Sequence, residues 1–324
     1  MNSLPSSPAT GPPAGRCLVI DGGGSGTRTA YVRGTEVSEV AHAATINPFA
    51  AGRAESELAD LLVSAGRHEQ DLDCVWIASA GVPWAVGDEH RDLAAALRNS
   101  GPRARRWVLS NDALLPLASV RGDAHPVVIL AGTGSCVVAP DPSGSVVRLG
   151  GREYLLSDDG SSYAIGLAGL RLALHRVEGG RSDDLAGSLT AEVGGTLTTK
   201  AREITRSSRR KQLIAGVART VLAAVPNDAE LRESVRPTIS RLARHALEAA
   251  SRTGSGSASF WLFGGLSDNA AYTRMLEAEL CSQANDVVSL TPLALDWAAA
   301  ARAASDPTPP RWLADHAYIV GGQP

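Results

Sequence analysis

The stretch Asp21-Gly22-Gly23-Gly24-Ser25-Gly26-Thr27 constrains this chain more than any other. The apolar run Cys17, Leu18, Val19, Ile20 leads into it and reads as a buried strand. Thr29, Ala30, Tyr31 and Val32 follow and read as a second strand. Strand, glycine loop and strand make a hairpin, so the loop joins neighbours in one sheet. Glycines let the backbone approach a ligand closely and turn its N–H groups toward it. Asp21, at the end of the first strand, adds a carboxylate suited to a hydrated Mg²⁺. N–H donors, hydroxyls and an acid together suit a nucleotide polyphosphate. A Walker A loop is excluded, because it needs Gly-Lys-Ser/Thr before a helix and here Gly26 precedes Thr27 and Arg28. A dinucleotide fingerprint needs a third glycine where Thr27 stands. A tight turn with no ligand is the plain alternative.

The pattern recurs. Pro126 to Ala131 reads as an apolar strand, Gly132, Thr133, Gly134, Ser135 and Cys136 as a glycine loop, and Val137 to Ala139 as a strand. Two such hairpins, one per half, are expected to face each other across a cleft as a paired nucleotide clamp. A third glycine turn, Gly264-Gly265, lies between the strand Phe260–Phe263 and a helix from Asn269 to Cys281. It offers a flat backbone surface and a helix N-terminus beside a ligand.

The 324 residues suffice for two domains, with 15–120 expected as the first and 121–324 as the second, the last helix being free to cross back to the first. A hydrophobic content of 44% with 20% charged residues is that of a soluble globular protein. A net charge of −3 argues against general nucleic-acid binding. Cys17, Cys74, Cys136 and Cys281 are far apart in sequence and form no CxxC pair, which fits a reducing cytoplasm. No apolar run is long enough to span a membrane. Residues 1–14 read as a loose Pro/Ser/Ala/Gly-rich tail rather than a signal peptide.

Further elements follow in order. Asn47-Pro48 marks a turn and residues 54–66 a helix. Residues 73–78 and 106–109 read as strands, with a helix over 88–99 between them. Asn111-Asp112 ends the second of these strands, before a helix over 113–118. Either residue serves as an N-cap, whereas a carboxylate at a strand's C-terminal end also suits a base for a substrate hydroxyl. A helix runs from Tyr163 to His175, and its Gly166 and Gly169 point to close packing. Residues 181–210 are polar, and Arg209-Arg210-Lys211 reads as a solvated helix face. A helical block over 212–252 breaks near Pro226-Asn227-Asp228. A weak strand at 287–290, an alanine-rich helix over 294–304 and a tail through Tyr318 complete the chain.

Taken together, these motifs resemble the superfamily that joins actin, the heat-shock ATPases and hexokinase. The nearest group looks like the N-acetylglucosamine kinase and BadF/BadG/BcrA/BcrD ATPase family. The resemblance rests on Asp21 to Thr27, Asn47-Pro48, Asn111-Asp112, Gly132 to Ser135, Asp158-Asp159-Gly160-Ser161 and Phe263-Gly264-Gly265. It implies an α/β, two-domain, ribonuclease H-like fold with an ATP cleft between the domains. It puts ATP on Asp21, Gly23, Gly24, Ser25, Gly26, Thr27, Thr133, Gly134, Gly264, Gly265 and Asp268, with Mg²⁺ held by Asp21 through water. It puts a sugar on Asn47, Asn111, Asp112, Ser135, Cys136, Gly151, Arg152, Glu153 and Asp158, with Asp112 as catalytic base. The implied activity is ATP-dependent phosphorylation of a hydroxyl on an amino sugar such as N-acetylglucosamine or glucosamine. A cytoplasmic homodimer is implied, with a small-molecule sugar substrate and neither nucleic acid nor membrane as partner.

Three places depart from the family pattern. Arg152-Glu153 stands where Trp-Gly is usual, Cys136 where some members have Asn, and Asp296-Trp297 where a Gly-Ala pair is usual. The first two bear on the sugar pocket. Glu153 facing it favours a free amine, and Arg152 facing it a carboxylate-bearing acceptor such as a muramic acid. Both in solvent is the plain alternative. Kinase activity on an aminocyclitol or other sugar-like acceptor, ATPase activation of a radical dehydratase, and a non-catalytic sugar sensor are the competing functions.

Overall fold

The computed structural model describes residues 14–24, 26–43, 71–100, 102–120, 122–181, 183–254 and 257–321. It divides into two compact units, residues 1–119 with 296–324, and residues 120–295.

In the first unit, β1 (Ala14–Gly22) and β2 (Thr27–Gly34) form the expected hairpin, antiparallel, with Asp21 opposite Arg28 and Cys17 opposite Val32. β3 (Glu36–Ala43) extends it antiparallel beyond β2. On the other side of β1 lie β4 (Cys74–Ser79) and β5 (Arg106–Ser110), both parallel to it. α1 (Asp88–Ser100) joins β4 to β5. Every residue of β4 is buried, as in a strand covered on both faces. Leu18, Ile20, Val75, Ile77 and Leu109 pack there with Leu93 and Leu97 of α1. Cys17 and Cys74 are register partners, both buried and both free thiols. After β5 the chain forms a 3-10 helix, Asp112–Val120, in place of the expected α-helix over 113–118. Pro116 lies inside it and has no N–H to return to the carbonyl of Asp112, which removes the α-helical bond there.

In the second unit, β6 (Pro126–Ala131), β7 (Ser135–Pro140) and β8 (Val146–Gly150) form an antiparallel meander. β9 (Ser259–Phe263) and β10 (Leu290–Pro292) run parallel to β6 on its other side. Between β8 and β9 lie α2 (Ser162–Glu178), α3 (Asp184–Val193), α4 (Leu197–Arg206), α5 (Arg210–Gly216), α6 (Ala218–Ala224) and α7 (Ala229–Ala250). The polar stretch 181–210 is therefore largely helical. α3 begins at a cap, Asp183 accepting from the Ala186 N–H, and ends at Gly194 with φ +71°. α8 (Ala270–Ala284) joins β9 to β10.

The two sheets share one strand order, β3-β2-β1-β4-β5 and β8-β7-β6-β9-β10. The duplication visible in the two glycine hairpins thus extends over five strands in each unit. The boundary between the units falls at Ser119, and Asp296–Pro324 belongs to the first unit. α9 (Trp297–Ser305) buries Ala299, Ala300, Ala301, Ala303 and Ala304, and packs on β1 and β4. The small side chains permit that close approach. After α10 (Arg311–Ala314), the segment read as a tail is β11 (Ala317–Gly321), antiparallel to β5 and the sixth strand of the first sheet. Tyr318 and Val320 pack against the core that holds Trp107 and Leu109, so β11 covers an edge that β5 would otherwise expose.

Candidate functional site

In the first unit, register places the candidate residues. Asp21 pairs with Ala78, and Ala78 with Ser110, so the C-terminal ends of parallel β1, β4 and β5 share one edge. That edge carries Asp21, the turn Gly23, Gly24, Gly26, Thr27, and the pair Asn111-Asp112. Open α/β sheets bind ligands at this edge. The carboxylate of Asp21 is buried, and Arg28 donates to its Oδ2 from Nε at 3.1 Å and from Nη2 at 2.7 Å. The guanidinium also lies 5.6 Å from the ring centre of Trp297, the residue that replaces a small one in the family pattern. Burial pushes the Asp21 carboxyl up, and Arg28 acts against it. Thr27 is buried.

Capping of the 3-10 helix falls to Asn111. Its Oδ1 accepts from the Ala113 N–H at 3.2 Å, and its Nδ2 donates to the Val82 carbonyl at 2.8 Å. The amide is thus committed to backbone, and half-buried Asp112 follows it on the same edge.

The second unit repeats the edge at β6 and β9. The Gly132 N–H donates to the Gly134 carbonyl at 2.9 Å and closes the turn that carries Thr133. The Leu266 N–H donates to the Ala131 carbonyl at 3.0 Å, which ties the Gly264-Gly265 turn to the same place. Gly264 has φ +109°, and a Cβ there would stand 2.6 Å from the Ala131 oxygen, so the two turns meet only as glycine backbone. Asp268 follows, exposed, and Asn269 caps α8.

The sugar-assigned residues of this unit gather beside the Gly132 turn. Ser135 donates from Oγ to the Asp159 carbonyl at 2.5 Å. Gly151, at φ +65°, lies so close to Cys136 that an added Cβ would stand 2.6 Å from the cysteine Cβ. Asp158 is 6% exposed, and its Oδ2 lies 2.6 Å from where a Cβ on Gly134 would be. Burial raises the Asp158 carboxyl pKa; Lys211 acts against it, and Glu153 raises it further. The side chains of Arg152 and Glu153 are exposed, and Glu153 holds φ +116°, a strained value for a residue with a side chain. Asn47, Ser25 and the expected helix over 54–66 lie outside the described residues.

Lys211 is the residue that the sequence reading missed. Expected on a solvated face, it instead places Nζ 3.1 Å from Asp158 Oδ2 and 5.4 Å from the ring centre of Tyr154. The cause lies in α2. A Cβ at Gly166 would stand 2.0 Å from the Ile214 carbonyl oxygen, and one at Gly169 2.2 Å from Val221 Cγ2. The two glycines bring α5 and α6 against α2, and Lys211, one turn before Ile214, reaches the acid. Two glycines inside a helix point to close packing, which the structure bears out, but nothing in the sequence names the partner helix.

Both edges are glycine turns beside a buried acid that is paired with one cation. Among the described residues no group of three or more His, Cys, Asp and Glu side chains gathers to enclose a metal. A lone carboxylate fits a cation such as Mg²⁺ whose other ligands are water and phosphate oxygens.

Residues 18–295 match the BadF/BadG/BcrA/BcrD ATPase family, and the chain belongs to that family. The fold is the two-domain α/β fold of actin-like ATPases and sugar kinases. Putative N-acetylglucosamine kinases from Porphyromonas gingivalis and Chromobacterium violaceum superpose with TM-scores of 0.68 and 0.64, at 16% and 20% identity. Each comparison covers 88% of this chain and 97% of the other. The N-acetylmuramic acid/N-acetylglucosamine kinase of Clostridium acetobutylicum is 27% identical over 167 residues, 49% of this chain. The matched region spans 52% of that relative's length.

Proposed function

We propose that this protein is an ATP-dependent kinase that phosphorylates a hydroxyl of an amino sugar of the N-acetylglucosamine or glucosamine type. The observation that carries the reading is the single sheet edge on which Asp21 and Asp112 both stand, one acid suited to a metal and one to a proton. Phosphoryl transfer asks a protein for positioning and charge neutralisation more than for covalent chemistry.

Under this reading the turn of Asp21, Gly23, Gly24, Ser25, Gly26 and Thr27 binds nucleotide phosphates, as do Thr133 and Gly134. Gly264, Gly265 and Asp268 lie by the adenosine. Asp21 would hold Mg²⁺, with Arg28 giving up part of its contact, and the ion would supply charge neutralisation at the phosphate oxygens. Asp112 accepts the proton of the acceptor hydroxyl. Asn47, Ser135, Cys136, Gly151 and Asp158 orient the sugar, while Asn111, its amide committed to backbone, holds the turn that carries Asp112. The names of the relatives support an amino-sugar acceptor.

The test is a coupled ADP-release screen over N-acetylated sugars, free amino sugars, neutral hexoses and aminocyclitols. The expected result is Mg²⁺-dependent turnover on an amino sugar. Turnover on neutral hexoses or aminocyclitols alone overturns the acceptor, and ADP release indifferent to every acceptor overturns the kinase.

A further inference from the structure

We propose that Lys211 fixes the charge class of the acceptor. As a resident ammonium on Asp158, it makes the site select a sugar whose nitrogen is acylated over one that carries a free ammonium. This rests on the reading of Asp158 as an acceptor-binding residue.

An acid as buried as Asp158 is, without a partner, a site for a cation. A free amino sugar is a cation. In this chain the place is taken, because Lys211 Nζ stands 3.1 Å from Oδ2 and its own side chain is 30% exposed. Nζ is also 3.4 Å from the Cβ position of Gly134, so the ammonium lies against the glycine turn itself. A second ammonium at Asp158 must either displace Lys211 or sit within a few ångströms of a like charge. A neutral acceptor meets neither obstacle. It finds an acceptor oxygen and an ammonium donor side by side, the pair that adjacent sugar hydroxyls match.

The fold enforces the arrangement. Gly166 admits the α5 backbone, Ile214 marks the contact, and Lys211 sits one turn earlier on the same helix. Tyr154 flanks the ammonium, with its ring edge-on to Tyr163 at 4.8 Å. Glu153, the acid named from sequence as a partner for a free amine, is exposed, so water screens it. Arg210 is exposed on the same helix, and Arg241 pairs with Asp159 at 2.7 Å rather than with Asp158.

The experiment compares kcat/KM for N-acetylglucosamine and glucosamine in wild type, Lys211→Met and Lys211→Arg, at mildly acidic pH where the amine is charged. Wild type and Lys211→Arg are expected to prefer the N-acetylated sugar. Lys211→Met is expected to shift the ratio toward glucosamine by about tenfold or more, the scale of one charge-assisted contact. A purely structural lysine lowers both values in parallel, and that parallel loss overturns the inference, as does an unchanged ratio. If Lys211→Met fails to fold, Lys211→Gln and the Lys211→Arg ratio carry the test, and a wild-type preference for glucosamine overturns the inference without any variant. Wild-type protein that phosphorylates neither sugar removes the kinase reading itself, and this inference with it.

Discussion

Two clusters of the second unit each join a buried charge to its opposite, and they are built in reverse. At one, the cation is buried. Arg176 is 4% exposed and reaches Asp183 at 2.9 Å, Asp228 at 2.6 Å and Glu230 at 2.7 Å, while those acids keep 31%, 20% and 45% of their exposure. At the other, the acid is buried. Asp158 keeps 5% against 30% for Lys211, its single ion-pair partner among the described residues. The consequences are opposite. Hydrogen bonds from Arg176 pull Asp228 and Glu230 below the ordinary carboxylate range, whereas burial lifts Asp158 above it. The Arg176 cluster is saturated with bonds and ties three helices, since Asp183 caps α3, Asp228 caps α7 and Arg176 ends α2. The Asp158 pair holds a charge at a cost, which is the condition of a group that gains from further donors.

If that contrast is right, substitutions at the two places fail in different assays. The largest effect is expected at the proposed catalytic edge of the first unit. Asp112→Asn keeps the volume, and the cap stays on Asn111, so the fold persists while kcat falls about 10²–10⁴-fold, the usual weight of a general base. Near-wild-type turnover removes Asp112 from that role. Next comes Arg176→Met, expected to lower unfolding free energy by about 3 kcal/mol, because Asp183 and Asp228 lose the buried cation between them and Glu230 keeps only the exposed Arg181. Denaturant unfolding measures it. Remaining folded protein should keep the wild-type KM values, and a change in acceptor KM without loss of stability breaks the comparison.

The sequence carries local features of this molecule and loses the distant ones. The glycine hairpins were legible because apolar runs of one strand's length flank each loop, and that pattern is local. The five-strand repeat was not, since β10 has only three residues, Leu290–Pro292, and carries little alternation. β11 reads as a tail in the sequence because an edge strand after Pro307, Pro309 and Pro310 owes its conformation to β5, a partner about 200 residues earlier in sequence. Lys211 was invisible for the same reason. Its neighbours Arg209 and Arg210 are exposed as a charge run predicts, and only the approach of α5 to Gly166 turns the third member inward.

A smaller effect is expected at the turn beside Asp158. Thr133→Val keeps the shape and removes one hydroxyl. It should raise the KM for ATP by about tenfold, on the order of one hydrogen bond, and that of the acceptor by less. An unchanged ATP KM takes the Thr133 hydroxyl off the phosphates.

The smallest effect reads the contrast most directly, as the slope of stability against pH. Asp158 has its folded pKa raised, so between the ordinary value and the raised one the folded state binds more protons than the unfolded state. Its contribution is therefore most favourable in acid and declines as pH rises through that window. Asp228 has its folded pKa lowered, so its contribution is present above the ordinary value and is lost as pH falls below it, toward the depressed one. Urea unfolding of wild type, Asp158→Asn and Asp228→Asn from about pH 3 to pH 7, a range that brackets ordinary carboxylate values, separates the two. The difference between wild type and Asp158→Asn should move against wild type as pH rises. The difference for Asp228→Asn should move in its favour. Glu230 is common to wild type and both variants and so largely drops out of each difference, and Lys211 shallows the first slope without reversing it, because burial outweighs its pull on Asp158. Slopes of the same sign would mean that Asp158 is held as Asp228 is, by a saturated cation, and would remove the reason to read it as a group that gains from further donors.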